Sequence, residues 1–245
     1  MRLGTLLRFG ALALLVAFLL VPQQFAPLFR PLTQFGAPPI YDQGNLLSLA
    51  LAHLGTVCLA AAASTVVAVG LGILVTRPSG RQFLPLSRTL VNIGQTFPPV
   101  AVLAVTVPLV GFGEKPTLIA LFAYGLLPIF ENTIVALQTT PPAVLEAASG
   151  MGMSAHQRLM SIELPLAIPL ILEGIRLSLV INVGTATIGS TVAAKGMGEV
   201  IIAGLLSNNT AFILQGGLVT ALMAVLLYDA MVALERRVCR TVQIE

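Results

Sequence analysis

The chain has 245 residues, of which 9% are charged, against about 25% in an ordinary soluble domain. Apolar residues make up 56%, the mean hydropathy is +0.94 and the formal net charge is +3. So few charges cannot clothe a water-exposed surface, which excludes a soluble globular domain, a disordered tail and a nucleic-acid-binding module; an all-α integral membrane protein is expected. Two cysteines, Cys58 in an apolar run and Cys239 near the C-terminus, exclude a disulfide scaffold and speak against a cysteine metal site. Trp is absent and Tyr occurs three times, so an interfacial belt must rely on Tyr, Phe and Arg.

A bilayer-spanning helix needs about 20 mainly apolar residues, and six stretches qualify. The first covers residues 6–21 and has a basic start in Arg2 and Arg8. The stretch after it, VPQQFAP, lacks a small-x-small cleavage site, so an uncleaved helix is expected. The second covers residues 49–76 and carries small residues at 60–64. The third, 89–110, is broken by Pro98-Pro99, which removes two backbone donors and bends the helix. The freed carbonyls then line a polar path or face a neighbouring helix. The fourth covers residues 117–138, the fifth 165–188 and the sixth 212–234. The segment 184–204 is rich in Gly, Ala and Thr, carries Lys195 and Glu199, and reads as an outer loop with a short helix near 199–206. The chain divides into an N-terminal helix with its outer loop (1–48), a core of five helices (49–235), and a hairpin inside that core (141–164).

With the N-terminus inside, nine basic residues fall on the cytoplasmic side: Arg2, Arg8, Arg77, Arg81, Arg88, Arg158, Arg236, Arg237 and Arg240. Three fall outside, Arg30, Lys115 and Lys195. Nine against three satisfies the positive-inside rule and places both termini and residues 139–164 in the cytoplasm. Two short helices are written into that loop. Thr140 is expected to cap the first, with Pro141 at its first position, and Gly150 and Gly152 to end it. Ser154 and Gln157 form a capping box for the second, and Pro165 precedes the fifth span. Such a hairpin either lies on the lipid as an amphipathic segment or presents one face to a groove on another protein.

Four charged residues fall within spans, where charge is costly and often functional: Glu131, Glu173, Arg176 and Asp229. Glu173 and Arg176 are three apart and can pair, as a structural ion pair or as part of a gate. Asp229 lies about two helical turns before Arg236, near the inner interface. Glu131 lies about two turns above the cytoplasmic end, where it can line an inward-facing cavity. Its carboxylate and the faces of Phe97, Phe122, Tyr124 and Phe130 suit a cation, although core or lipid contact explains the aromatics equally. Asn92, Gln95, Asn182, Thr185 and Thr187 either line a path or bond between helices. The path candidates are therefore Gln95, Phe97, Pro98, Pro99, Glu131, Asn182 and Thr185. His53 and His156 are lone histidines without ligand-type neighbours, so no metal is assigned, and no nucleophile motif such as G-x-S-x-G is present.

Glu146-Ala147-Ala148, Gly152, Ile162 and Leu164-Pro165 stand at the spacing of a known signature. The pattern resembles the EAA loop of ABC importer permeases. Gly94-Gln95-Thr96-Phe97-Pro98-Pro99, Gly150-Met151-Gly152-Met153-Ser154, Glu163-Leu164-Pro165-Leu166-Ala167 and residues 181–188 (INVGTATI) are similar to the permeases of osmoprotectant importers, over about residues 45–235. One departure is Glu131, where many relatives carry a basic residue. The resemblance implies a type I importer fold of six transmembrane helices with a cytoplasmic coupling-helix hairpin. It implies ATPase coupling through Glu146, Ala147, Ala148, Gly152, Ile162, Leu164 and Pro165, with the hairpin seated in a cleft of a cytoplasmic ATPase subunit. ATP and Mg would belong to that partner, with no cofactor in this chain. The further partners implied are a second permease copy or a paralogous permease, an extracytoplasmic solute-binding protein and the lipid bilayer of a bacterial inner membrane, with no nucleic acid. The solutes implied are glycine betaine, choline and related quaternary ammonium compounds.

The chain's own residues agree that energy comes from elsewhere. A P-loop ends in Gly-Lys-Ser/Thr, whereas the two lysines here, Lys115 and Lys195, follow Glu114 and Ala194. A secondary carrier often shows two inverted halves, and no convincing internal repeat is visible. An importer for another small solute such as an amino acid, a secondary carrier and a non-transporting scaffold stand as the alternatives.

Overall fold

The computed structural model describes residues 3–34 and 36–242. Arg2 and the side chains of Cys239 and Arg240 lie outside the described residues. Every regular element among them is helical. Helix α1 covers Leu3–Leu20, and a run of short turns containing α2 (Ala26–Phe29) follows. Pro22, Pro27 and Pro31 each stand in the first positions of a turn, where a missing N–H is harmless. The chain bends by 109° between Arg8–Leu20 and Pro22–Leu32. Helix α3, Leu46–Thr76, has 31 residues, roughly 46 Å at the usual rise per residue.

Helices α4 (Leu84–Thr96) and α5 (Pro99–Val110) are separated by Phe97 and Pro98, with ψ of 131° and 139°. Each precedes a proline, and a residue before proline is driven from helical into extended backbone. Next come α6 (Glu114–Gln138), α7 (Pro142–Gly150), α8 (Ala155–Arg158), a π turn (Leu159–Glu163) and α9 (Leu164–Thr185). A 3-10 stretch (Ala186–Val192), α10 (Gly198–Leu206) and α11 (Thr210–Val242) complete the chain. Among the described residues, four segments are long and apolar enough to cross a bilayer: Leu46–Thr76, Glu114–Gln138, Ala155–Val192 and Thr210–Val238. With each bent pair taken as one span, the number rises to the six read from the sequence. The short helix expected near 199–206 is α10.

The fold forms two compact units that interleave along the chain. The first comprises Met1–Ala60, Pro98–Leu121 and Leu179–Tyr228; the second comprises Ala61–Phe97, Phe122–Ser178 and Asp229–Glu245. In the first unit, α10 and the 3-10 stretch meet at Gly198, where a Cβ would lie 2.0 Å from the Thr187 carbonyl oxygen. No residue other than glycine fits there. Asn209 caps α11, its Oδ1 accepting from the Ala211 N–H at 3.0 Å. Its Nδ2 donates to the Pro38 carbonyl at 2.9 Å. Gln215, fully buried, holds the loop before α3 twice: it donates to the Pro39 carbonyl at 2.7 Å and accepts from the Tyr41 N–H at 3.1 Å. Burial, then the carboxylates of Glu199 and Asp42, push the Tyr41 phenol up from its ordinary pKa.

The second unit has a core of Ala68, Val75, Val91, Ile129, Phe130 and Ile134. A second cluster of Ala136, Leu137, Leu159, Ala167 and Ile171 joins the end of α6 to the π turn and α9. This cluster anchors the base of the hairpin.

Candidate functional site: a hairpin carried by one unit

The first arm of the hairpin is α7. Its cap position is Pro141, whose backbone is extended, and Pro142 takes the first helical position. Thr140 does not cap it: its hydroxyl is buried without a partner. The second proline shifts the helix start one residue beyond the expected place, which puts Thr140 out of reach. The arm ends in a Schellman turn. The Met153 N–H donates to the Ala148 carbonyl at 3.1 Å and the Gly152 N–H to the Ser149 carbonyl at 3.0 Å. Gly152 sits at φ +78°, the left-handed conformation this turn requires. Gly150 is the last helical residue rather than the stop.

Ser154 opens the second arm through the expected capping box, donating its N–H to Gln157 Oε1 at 2.8 Å and accepting from the Gln157 N–H at 3.2 Å. Arg158 Nη1 donates to the Ser149 hydroxyl, which ties the two arms together. The second arm is not a free-standing helix. It runs through the π turn into α9 without a break. Pro165 has no N–H to give to the Ser161 carbonyl, so the wider turn falls where the helical ladder already lacks a donor.

The signature residues are sorted by burial. Glu146 and Ala147 are exposed on α7, while Ala148 is completely buried. Ile162, Leu164 and Pro165 are half-buried at the base. A short helix thus offers one face outward and is pinned by the other.

A buried carboxylate that sequence reasoning missed holds the base. Glu163, in the π turn, accepts a forked pair of bonds from Arg77 just beyond α3, Nη1 to Oε1 at 3.0 Å and Nη2 to Oε2 at 2.6 Å. Its signal was a lone acid beside Leu164-Pro165 and a basic residue directly after an apolar run. Glu131 is likewise forked by Arg88, Nε to Oε1 at 3.0 Å and Nη2 to Oε2 at 2.9 Å. A cation approaching Glu131 therefore meets a neutralised pair rather than a lone carboxylate. The expected pair of Arg176 with Glu173 exists at 3.5 Å, but a closer partner is Glu235 on α11 at 2.6 Å.

Of the path candidates, Gln95 and Phe97 come together through Tyr124. Gln95 Nε2 donates to the Tyr124 carbonyl at 2.9 Å, and the Tyr124 hydroxyl donates to the Phe97 carbonyl. That hydroxyl satisfies a carbonyl freed by the Pro98-Pro99 break. Phe97 and Pro98 are exposed, and Pro99 starts α5. Phe130 is completely buried and belongs to the core. In the first unit, Asn182 is completely buried and donates to the Leu121 carbonyl at 3.2 Å, and Thr185 bonds back to the Ile181 carbonyl. His53 is buried in the same unit. Its Nε2 donates to the Val183 carbonyl at 2.9 Å and its Nδ1 accepts from the Met197 N–H at 3.4 Å. Both ring nitrogens are thus used in joining α3 to α9 and to the start of α10.

Residues 68–240, a stretch that contains the whole hairpin, match the sequence model of the family described as binding-protein-dependent transport system inner membrane components. The chain belongs to that family. This permease is 40% identical over 185 residues to the osmoprotectant import permease protein OsmY of Salmonella typhimurium, covering 76% of this chain and 78% of the relative. It is 34% identical over 195 residues to the glycine betaine/carnitine/choline transport system permease protein OpuCB of Bacillus subtilis, covering 80% and 89%. Among solved structures it is similar to the inward-facing MetNI methionine ABC transporter, with a TM-score of 0.68 and 21% identity, over 77% of this permease and 93% of that chain. At that identity the likeness concerns the fold alone, which is that of a type I ABC importer permease.

Proposed function

We propose that this permease moves a small quaternary ammonium solute, glycine betaine, choline or carnitine, into the cytoplasm, with ATP hydrolysis supplied by a separate ATPase subunit. The observation that carries the coupling role is the exposed Glu146-Ala147 face of α7, held between a Schellman turn and a capping box and anchored through Ala148. The names of the relatives support the solute class. α7 seats in a cleft of the ATPase, and closure of two ATPase subunits pulls on the hairpin. Because the second arm continues into α9, the pull reaches the membrane helices directly and biases them between inward- and outward-open states. Both termini lie in the cytoplasm, a binding protein delivers the solute from outside, and a second permease, identical or paralogous, completes the pathway.

The test is Glu146→Lys, a charge reversal on an exposed residue outside the core. The variant should reach the membrane in wild-type amount, lose the ATPase in detergent pull-downs and lose uptake of labelled choline and glycine betaine. Retained ATPase with wild-type uptake would reject the coupling role. Uptake competed by methionine and not by betaine or choline would reject the solute class.

A further inference from the structure

On the unit that carries the hairpin lies a half-open cavity of about 480 Å³. Its charged wall is three arginines, Arg77, Arg81 and Arg158, against one carboxylate, Glu163. Glu163 is already matched by the fork from Arg77. Arg81, at the start of the turn Arg81–Phe83, is exposed and makes no ion pair among the described residues. Arg158 spends one N–H on the neutral Ser149 hydroxyl. With Glu163 matched by Arg77, the wall keeps a surplus of two positive charges, those of Arg81 and Arg158, and that surplus calls for an anion from outside the chain.

The rest of the wall narrows the class. Val75, Leu137 and Leu145 give it an apolar side. Val75 and Leu137 belong to the last turns of α3 and α6, where two spans reach the membrane surface. Guanidinium forks match the tetrahedral oxygens of phosphate, and Arg binds it bidentately. We propose that this cavity binds a phosphate group beside the hairpin, carried by an anionic phospholipid headgroup or by free phosphate. Its placement at the cytoplasmic surface rests on the orientation proposed above; the anion chemistry does not.

The importer, permease with its ATPase, is placed in nanodiscs of phosphatidylcholine with or without phosphatidylglycerol, and is separately titrated with inorganic phosphate. The wild type should retain phosphatidylglycerol in native mass spectra or bind phosphate in equilibrium dialysis. Arg81→Gln should weaken whichever probe binds by about tenfold, the scale of one charge-assisted hydrogen bond. Arg158→Gln is the second weakening variant, and Glu163→Gln, which removes the opposing charge, should strengthen binding. Retention of phosphatidylglycerol alone assigns a lipid headgroup, and binding of phosphate alone assigns a soluble anion. ATPase retention and choline uptake, measured on the same preparations, report on the proposed function separately. Binding of neither probe, or equal binding by wild type and both arginine variants, overturns the inference. So does a loss of ATPase retention in Arg81→Gln with probe binding unchanged, which would make the cavity a seat for an acidic side chain of the ATPase.

Discussion

Two carboxylates flank Arg176, and they are not equivalent. Glu235 lies 2.6 Å away with its side chain 26% exposed; Glu173 lies 3.5 Å away and is 50% exposed. The second pair is longer by 0.9 Å and less enclosed, so its attraction is the weaker. Double-mutant cycles on thermal melting in detergent should give a coupling of about 1–2 kcal/mol for Arg176 with Glu235 and under about 0.5 kcal/mol with Glu173. The reverse ranking would sink this reading. The weaker partner was visible in the sequence because helix geometry places residues three apart side by side. The stronger one, 59 residues on, was not, and neither were Arg77 with Glu163 or Arg88 with Glu131, at separations of 86 and 43. Such pairs are set by helix packing, which no local spacing encodes. Gln215 is a further case, since nothing near it in sequence announces its hold on Pro39 and Tyr41. Gln215→Leu should leave two backbone groups without partners, at about 1–3 kcal/mol each. The expected readout is new protease cleavage near residues 38–41 with the protein still inserted; an uncut loop would show that Gln215 holds nothing there.

Elements were more legible than contacts, and their ends less than their middles. The break at Pro98-Pro99 followed from proline chemistry alone, yet the donor that satisfies the Phe97 carbonyl comes from Tyr124 on another helix. Tyr124→Phe removes that donor and little else. It should lower stability by about 1 kcal/mol, seen as faster hydrogen exchange around residues 92–97; unchanged exchange would mean that the bond contributes nothing. The hairpin was legible as a hairpin because capping boxes and glycine stops are local signals. Its second arm was misjudged as a separate helix because a π turn has no sequence signature and lets a helix run on into Pro165. Between the 3-10 stretch and α10 the constraint is steric. A side chain at Gly198 would collide with the Thr187 carbonyl, so Gly198→Val should displace α10 from the 3-10 stretch at a cost of several kcal/mol, about the scale of overpacking. Limited proteolysis near residues 186–206 should rise sharply, and wild-type resistance would contradict the close approach.

At the scale of the molecule, topology is the simplest thing to measure. Reporters active only outside should respond at Gly36, Glu114 and Asn208 and stay silent at either terminus; a responding C-terminal reporter would refute the six-span arrangement. The two units also constrain how the protein can be made. Their stretches alternate along the chain, with changes after Ala60, Phe97, Leu121, Ser178 and Tyr228. Four of these five changes fall inside continuous helices and one falls at the Phe97-Pro98 break. Neither unit is complete until α11 has left the ribosome, so earlier helices must wait in the bilayer with their faces uncovered. A chain stopped at residue 206 has neither unit whole and should be degraded, while co-expression of the missing piece should rescue it. For this permease, assembly waits on α11.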